Sequence, residues 1–480
     1  MYRMRVVVLV ICLNVFAISL FVFSSHPVSA RIAKSTADFV VGSNDNLQAK
    51  VVEEPIFTPH VVTKTVSTDI QEPTPVPPSY CLDPYKRPGY FFNPRVKKGR
   101  EIAGFIASRF VPYYDDLLER EPPRSAQYPP PEGYDPTRNA ELMFTEAEIP
   151  GDILRFAPIN WLQLVHDYLY WIVHTEDGPS ETIHRHIGEL WEQIKWMQHR
   201  RVLLLADSVD RYMIVHLCED LGLEAEDYLT PIRTGGRCVI EPLNFTVYYW
   251  HVPSMYTSRP DWWFSELIEN VPFENRTENL FMKAGIDDVL GENGVAPDLI
   301  IYQSLLWDWK ANQIGYRVSK GMSPYTDKFA RPLFWSELDF YRARQQMFIE
   351  YFRGLFGPDV PMMYRAVAPL RDGGAPEIGL RQLDAMARLV ASNHDIEVFE
   401  WGYSLLGHPE VYKDKMHVIN SPQASLFINM MFYYLHRSLG GTEERGQVTR
   451  TPEQFMSVPG RTAGDAWREC NMYNVKVSSH

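Results

Sequence analysis

Two short stretches of the sequence contain the residue types of an acyl-transfer site. Ser208 follows the apolar run RVLLLA at residues 201–206 and precedes a segment whose apolar residues have helical spacing. A serine at this point either caps the helix, as Asp207 could also do, or presents its hydroxyl as a nucleophile beside backbone N–H groups that can stabilise an oxyanion. The second role requires a base, and the base requires a group that orients it.

The segment VYKDKMHVINSPQ contains a base and an orienting carboxylate. Asp414 and His417 are three residues apart in it, so their side chains can meet within one turn. The carboxylate could then hold one imidazole nitrogen while the other faces Ser208; the alternative is a surface turn with a solvated histidine. For a catalytic site we expect the Oγ atom of Ser208 about 2.6–3.2 Å from the His417 ring.

Apolar runs that alternate with amphipathic segments predict the elements that position these residues. Strands are predicted at 202–206, 243–250, 298–303, 361–366 and 396–400, and helices at 161–174, 180–199, 209–221, 337–356, 378–392 and 422–438. This alternation predicts a three-layer α/β/α sandwich with a mainly parallel five-stranded sheet. Sites in open sheets of this kind form at the carboxyl ends of strands, which is where Ser208 falls.

The order of the two stretches resembles that of the SGNH/GDSL hydrolase superfamily. The resemblance is greatest to its membrane-anchored branch, which includes the PC-esterase and the plant and fungal polysaccharide O-acetyltransferase-like proteins. The first block of that branch reads Gly-Asp-Ser-Val-x-Arg, and residues 206–211 here read ADSVDR. Weaker blocks are DLIIYQSLLWD at 298–308 and MYRAVAP at 363–369. The resemblance covers residues 200–440 and implies that Ser208 attacks an ester while His417 acts as base and Asp414 as orienter.

The same resemblance implies several oxyanion and substrate residues. Trp307 stands where soluble members have an asparagine donor, and its indole N–H can donate one hydrogen bond. Gln303 is a further candidate donor, and Arg365 is implied to lie near the site. Asp207 and Arg211 belong to the first block.

Three positions depart from the family pattern or leave it open. The oxyanion glycine is expected to be Gly235 or Gly236 in IRTGGRC, whose alternative is a plain turn. Ala206 and Leu305 stand where the family has glycines. Ala206 is expected to crowd the turn before the serine, which favours an altered or lost activity.

The N-terminus predicts entry into the secretory pathway. Residues 1–30 are expected to form a cytosolic tip and a transmembrane anchor, because Arg3 and Arg5 precede an uncharged apolar stretch at 6–23. The alternative is a signal peptide cleaved after Val28-Ser-Ala. Residues 31–80, rich in Ser, Thr, Val and Pro, predict a disordered stem, and residues 81–480 a luminal domain. The anchor implies a single-pass type II protein of the Golgi, and cleavage implies a secreted one.

Two further features are typical of that compartment. Asn244 and Asn275 begin N-glycosylation sequons. Four cysteines beyond the apolar stretch allow three connectivities, which sequence cannot distinguish. The pairing we expect is a local Cys218–Cys238 bridge with a long-range Cys81–Cys470 bridge.

Composition excludes some classes of function and leaves three hypotheses. The net charge of −13 argues against a nucleic-acid partner, no zinc-binding cysteine pattern is present, and no cofactor is expected. The first hypothesis is a luminal serine-dependent esterase or O-acetyltransferase acting on glycans or polysaccharides; a transferase would need a luminal acyl donor or a transporter partner. The second is a catalytically inactive glycan-binding or scaffolding protein. The third, a Golgi glycosyltransferase, is disfavoured because the chain has no Asp-x-Asp triplet.

Overall fold

A computed structural model of the chain describes residues 81–87, 89–92, 99, 101–112, 157–174, 181–227, 235–252, 255, 273–274, 277, 296–323, 331–373 and 375–478. The predicted anchor and stem, and the sequon residue Asn275, lie outside these ranges. Among the helices within them, none has the length and apolarity that a membrane span requires.

Strands and helices alternate along most of the described chain. The strands are β1 Gly89–Phe92, β2 Arg109–Pro112, β3 Arg201–Ala206, β4 Glu226–Asp227, β5 Gly235–Ile240, β6 Phe245–His251, β7 Leu299–Tyr302, β8 Met362–Arg365, β9 Glu397–Phe399, β10 Thr442–Glu444 and β11 Gln447–Arg450. The helices are α1 Glu101–Ile106, α2 Trp161–Val173, α3 Glu181–Ile194, α4 Ser208–Asp220, α5 Leu305–Ser319, α6 Trp335–Phe356, α7 Ala375–Asn393, α8 Pro422–Ser438, α9 Pro452–Met456 and α10 Ala463–Ser478.

A seven-stranded mixed sheet lies at the centre, in the order β4-β5-β6-β3-β7-β8-β9. Five adjacent strands of this sheet, β6, β3, β7, β8 and β9, are parallel to one another. The remaining strands, β4 and β5, form an antiparallel edge. The five parallel strands are those predicted from the apolar runs, so the α/β class is confirmed. The prediction of five strands was wrong because the antiparallel edge pair was missed.

Helices cover both faces of this sheet, and β3 shows how the sequence achieves it. Successive side chains of a strand point to opposite faces. Val202 and Leu204 accordingly belong to a buried cluster with residues of α4 and α8. Leu203 and Leu205 belong to a second cluster with residues of α6 and α7. A strand buried on both faces reads as a continuous apolar run, which is why it was visible in the sequence.

Two disulfides cross-link the described domain. Cys218 of α4 is bonded to Cys238 of β5, with a sequence separation of 20. Cys81 is bonded to Cys470 of α10, with a separation of 389. The expected pairing is confirmed, and the first bridge ties the helix that begins at Ser208 to the antiparallel edge of the sheet.

Candidate active site

The connection from β3 to α4 shows whether Ser208 acts as the helix cap or leaves its hydroxyl available as a nucleophile. β3 ends at Ala206 and α4 begins at Ser208. The Oδ1 atom of Asp207 accepts a hydrogen bond from the backbone N–H of Val209 at 2.9 Å, so Asp207 is the helix cap. The hydroxyl of Ser208 is therefore not needed as a cap, and it lies at the carboxyl end of a central parallel strand.

The structure brings Ser208, His417 and Asp414 into one hydrogen-bonded chain. The Oγ atom of Ser208 is 2.7 Å from Nε2 of His417. The Nδ1 atom of His417 is 2.7 Å from Oδ2 of Asp414. Both distances lie within the range expected of a nucleophile, its base and an orienting carboxylate.

Asp414 is held in place and kept ionised by its own turn. Its Oδ1 atom accepts hydrogen bonds from the backbone N–H groups of Met416 at 2.9 Å and His417 at 3.0 Å. Partial burial acts to raise the pKa of this carboxyl, but the hydrogen bonds from the His417 ring and the two amides outweigh it and lower the pKa to about 2. An ionised Asp414 can only accept, so Nδ1 of His417 must donate to it. The Nε2 atom that faces Ser208 is then the proton acceptor.

Helix α4 positions the base as well as the nucleophile. His216, on α4, has its Nε2 atom 3.1 Å from the carbonyl oxygen of Val418, which follows His417 in the chain. Asp220, also on α4, accepts a hydrogen bond from Nδ2 of Asn420 at 2.8 Å. His216 and Asp220 are buried, and neither was among the predicted site residues. The available signal was two polar side chains four residues apart, a spacing that puts them on one face of the helix.

The first amide of α4, that of Ser208, is the backbone candidate for an oxyanion donor. The initial amides of a helix have no partner within the helix, and together with its dipole they favour negative charge. The amide of Val209 is occupied by Asp207, and the amide of Ser208 is the first of the helix. When Ser208 Oγ attacks an ester, the oxyanion on the former carbonyl oxygen would therefore develop near a donor on the same residue.

The oxyanion role expected of Gly235 or Gly236 stays a prediction, whereas their alternative as a plain turn is wrong. Gly235 and Gly236 begin the edge strand β5, where Gly236 pairs with Tyr249 of β6. Because β5 is two strands away from β3, the lateral separation is roughly 10 Å. Strand pairing, which a glycine pair does not signal, therefore places these residues two strands from the strand that precedes Ser208.

Trp307 lies in the first turn of α5, directly after the strand that neighbours β3. Its ring is 5.5 Å from the ring of His251, at an interplanar angle of 82°. His251 ends β6 on the other side of β3 and pairs with Ala206. The two rings therefore lie next to the connection that carries Ser208, and the indole remains a candidate donor. His251, at the end of an apolar strand, was not among the predicted site residues.

Gln303 has a structural contact at the start of α5. Its Oε1 atom accepts a hydrogen bond from the backbone N–H of Leu305 at 3.0 Å, and its Nε2 atom is 3.5 Å from Oδ2 of Asp210. Gln303 is buried. These contacts make it a link between α4 and α5.

The two predicted arginines lie close to the site but in different environments. Arg365, at the end of β8, is buried, with its Nη2 atom 2.6 Å from Oδ2 of Asp210. The guanidinium carbon of Arg211 is 5.0 Å from the ring centroid of Tyr212, and that ring is 5.0 Å from the His417 ring. Arg365 is thus part of the framework beneath Ser208, whereas Arg211 lies beside the aromatic neighbour of the base.

Ala206 and Leu305 are the two positions at which the resemblance implies glycines. Ala206 is the last residue of β3 and is not among the residues with positive φ, so its backbone has no need of glycine. Its carbonyl accepts a hydrogen bond from the N–H of Val252 at 2.8 Å. Leu305 is buried in the cluster that contains Leu205. The backbone of the β3–α4 connection therefore does not require a glycine at position 206.

The described sequon residue Asn244 lies on the surface. It ends a 3-10 turn in the left-handed region at φ 47°, a conformation that asparagine tolerates better than most residues. Its side chain is exposed, with Nδ2 2.8 Å from Nδ1 of His199.

No family model and no curated protein matches the chain. Among solved structures, it is similar to a protein from Parabacteroides merdae ATCC 43184 described as a GDSL-like lipase, with 10% identity over 49% of this chain and 95% of the other, and a TM-score of 0.29. It is also similar to Axe2, an acetylxylan esterase from Geobacillus stearothermophilus, with 11% identity over 53% and 100% and a TM-score of 0.30. Likenesses this weak carry no argument about chemistry, which rests on the geometry of the site.

Proposed function

We propose that the chain is a serine-dependent acyl-transfer enzyme that cleaves or transfers O-acyl esters of glycans. The observation that carries the proposal is the hydrogen-bonded chain from Ser208 through His417 to Asp414, with both contacts at 2.7 Å. This arrangement activates a hydroxyl nucleophile regardless of the fold that presents it.

The reaction proceeds through an acyl-enzyme. Nε2 of His417 takes the proton of Ser208 as Oγ attacks the ester carbonyl, and Asp414 stabilises the imidazolium that forms. The oxyanion develops on the former carbonyl oxygen, beside the N–H of Ser208 at the start of α4. His417 then returns its proton to the leaving alkoxide as the ester bond breaks. Water, or a sugar hydroxyl, attacks the acyl-serine in the second half of the reaction, with His417 again acting as the base.

The substrate class and the compartment rest on the sequence. The resemblance to membrane-anchored glycan-modifying proteins suggests a polysaccharide O-acetyl ester as substrate, and the N-terminal apolar stretch suggests a Golgi-luminal domain. Two disulfides fit an oxidising compartment. If transfer rather than hydrolysis is the outcome, the acyl donor must be luminal or delivered by a transporter, because one membrane span offers no path for a cytosolic acyl-CoA.

Reaction with a fluorophosphonate probe tests the nucleophile directly. The purified full chain is expected to be labelled, and the Ser208→Ala variant is expected to lose labelling and acetate release from acetylated glycans. Ser457→Ala is the matched control, because Ser457 is exposed and its hydroxyl donates to the carbonyl of Gln454. Equal labelling of the wild-type chain and Ser208→Ala would contradict the proposal.

A catalytically silent glycan-binding or scaffolding protein is the second candidate. It is favoured by the position of Gly236 in an edge strand, which leaves Trp307 as the main side-chain candidate for a second oxyanion donor. Well-folded protein that binds acetylated glycan without being labelled would favour this function over catalysis.

A further inference from the structure

We infer that Arg365 is a positioning residue, which holds the nucleophile in register through the two carboxylates that flank it, Asp207 and Asp210. The inference rests on the proposed function of Ser208 as a nucleophile. It assigns to Arg365 a role distinct from substrate binding, because the side chain is only 1% exposed.

The geometry places one guanidinium beneath both flanking carboxylates. Nη2 of Arg365 is 2.6 Å from Oδ2 of Asp210 and 3.7 Å from Oδ1 of Asp207. Nη1 donates to the carbonyl oxygen of Ala366 at 3.0 Å, which fixes the orientation of the fork. The Oδ1 atom of Asp207 is also the cap that accepts from Val209. The guanidinium therefore contacts the residues on both sides of Ser208.

This cluster connects three neighbouring strands at their carboxyl ends. Asp207 follows β3, Gln303 follows β7 and Arg365 ends β8. Gln303 contacts Asp210 at 3.5 Å and the start of α5 at 3.0 Å. A displacement of Arg365 would consequently be transmitted to the first turn of α4, where the Oγ and N–H groups of Ser208 must stay aligned with His417.

The composition of the cluster points to alignment rather than to stability. Asp210 is fully buried, its Oδ1 atom has no hydrogen-bond partner among the described residues, and burial raises the pKa of its carboxyl to about 6 despite the neighbouring Arg365. Two buried carboxylates within one turn repel each other, and a buried ion pair is commonly no more stable than an apolar pair of similar volume. The stability of the fold therefore does not explain the cluster, and its role is explained by the alignment of Ser208 that it provides.

The test separates alignment from stability with a charge-neutral double variant, Asp210→Asn with Arg365→Met. Replacing both partners of a buried pair generally preserves stability. Asp207 loses its 3.7 Å contact with Arg365 but keeps the hydrogen bond from the Val209 N–H, so we expect only a small fall in melting temperature. We nevertheless expect kcat for acetate release and the rate of fluorophosphonate labelling to fall about 10- to 100-fold, with KM within about two-fold, since small misalignments of reacting groups have effects of this size. The single variant Arg365→Lys keeps the positive charge but not the forked guanidinium, so its kcat should lie between those of the double variant and the wild-type chain.

Arg437→Met is the matched control. Arg437 is also buried and pairs with Glu397 at the amino end of the edge strand β9, whereas Ser208 follows the carboxyl end of the central strand β3. Glu397 keeps Lys86 as a partner at 2.7 Å. This variant is expected to lose thermal stability and to retain kcat per folded molecule.

Three outcomes decide the matter. A stable double variant with wild-type kcat would overturn the inference while leaving the proposed function intact. A wild-type chain that is neither labelled nor active would overturn both. A crystal structure of the double variant supplies a readout independent of activity: we expect the Ser208–His417 contact to lengthen beyond hydrogen-bond reach, and an unchanged 2.7 Å contact would count against the inference.

Discussion

Replacing Asp414 by asparagine should reverse the proton positions of the candidate site. The Oδ1 atom of Asp414 accepts from two backbone N–H groups, at 2.9 and 3.0 Å, while Oδ2 faces His417 at 2.7 Å. In the variant only the amide oxygen can accept, so the two backbone donors hold it in the Oδ1 position. The amide nitrogen is thereby placed against Nδ1 of His417 and donates to it. Nε2 must then carry the proton and can no longer accept one from Ser208.

The expected loss in kcat is about 10⁴-fold, or roughly 5 kcal/mol of transition-state stabilisation, as for a catalytic histidine held in the wrong tautomer. The assay is hydrolysis of an activated acetate ester together with the rate of fluorophosphonate labelling. Asp339→Asn is the control, because that exposed carboxylate pairs with Arg342 on α6 and should leave both rates unchanged. An Asp414→Asn variant that kept more than a tenth of wild-type kcat would refute the tautomer argument.

Two further predictions concern stability. Burial raises the pKa of Glu443 to about 8, so between pH 4.5 and 8 the folded chain retains a proton that the unfolded chain has released, and stability falls as pH rises. Glu443→Gln should therefore reduce the loss of unfolding free energy between pH 6 and 8 by about 2 kcal/mol, measured by urea denaturation; an unchanged pH dependence would contradict this. Replacing Cys218 and Cys238 by serine opens a loop with a separation of 20 residues and should lower the unfolding free energy by about 3 kcal/mol, so a double variant as stable as the wild-type chain would show that the bridge contributes little.

The sequence was most informative where burial left a continuous pattern. The parallel strands lie between helices on both faces, so each had to be apolar along its length, as in Val202–Leu205. The edge strands were missed because Glu226–Asp227 is short and acidic, and because Gly235-Gly236 has the composition of a turn. Exposed or edge strands do not need the apolar character that makes central ones visible.

Side-chain types were easier to predict for the site than side-chain surroundings. Ser208, Asp414 and His417 could be found because a nucleophile, base and orienter have recognisable chemistry and order. Arg365 could be placed near the site, but not beneath it, because no local pattern shows whether the last residue of a strand faces solvent or the core. His251 was not predicted because it lies near Ser208 only through its strand pairing with Ala206. The two paired strands are distant in sequence, so no local pattern shows this proximity.

The Cys81–Cys470 bond makes the described domain a ring rather than a line. Its two cysteines have Cα atoms 5.0 Å apart although 389 positions separate them in sequence. A single proteolytic cut within that ring therefore opens it without detaching either fragment. Nicked molecules would retain their full mass until the disulfide is reduced, so gels run without reductant would hide such cleavage.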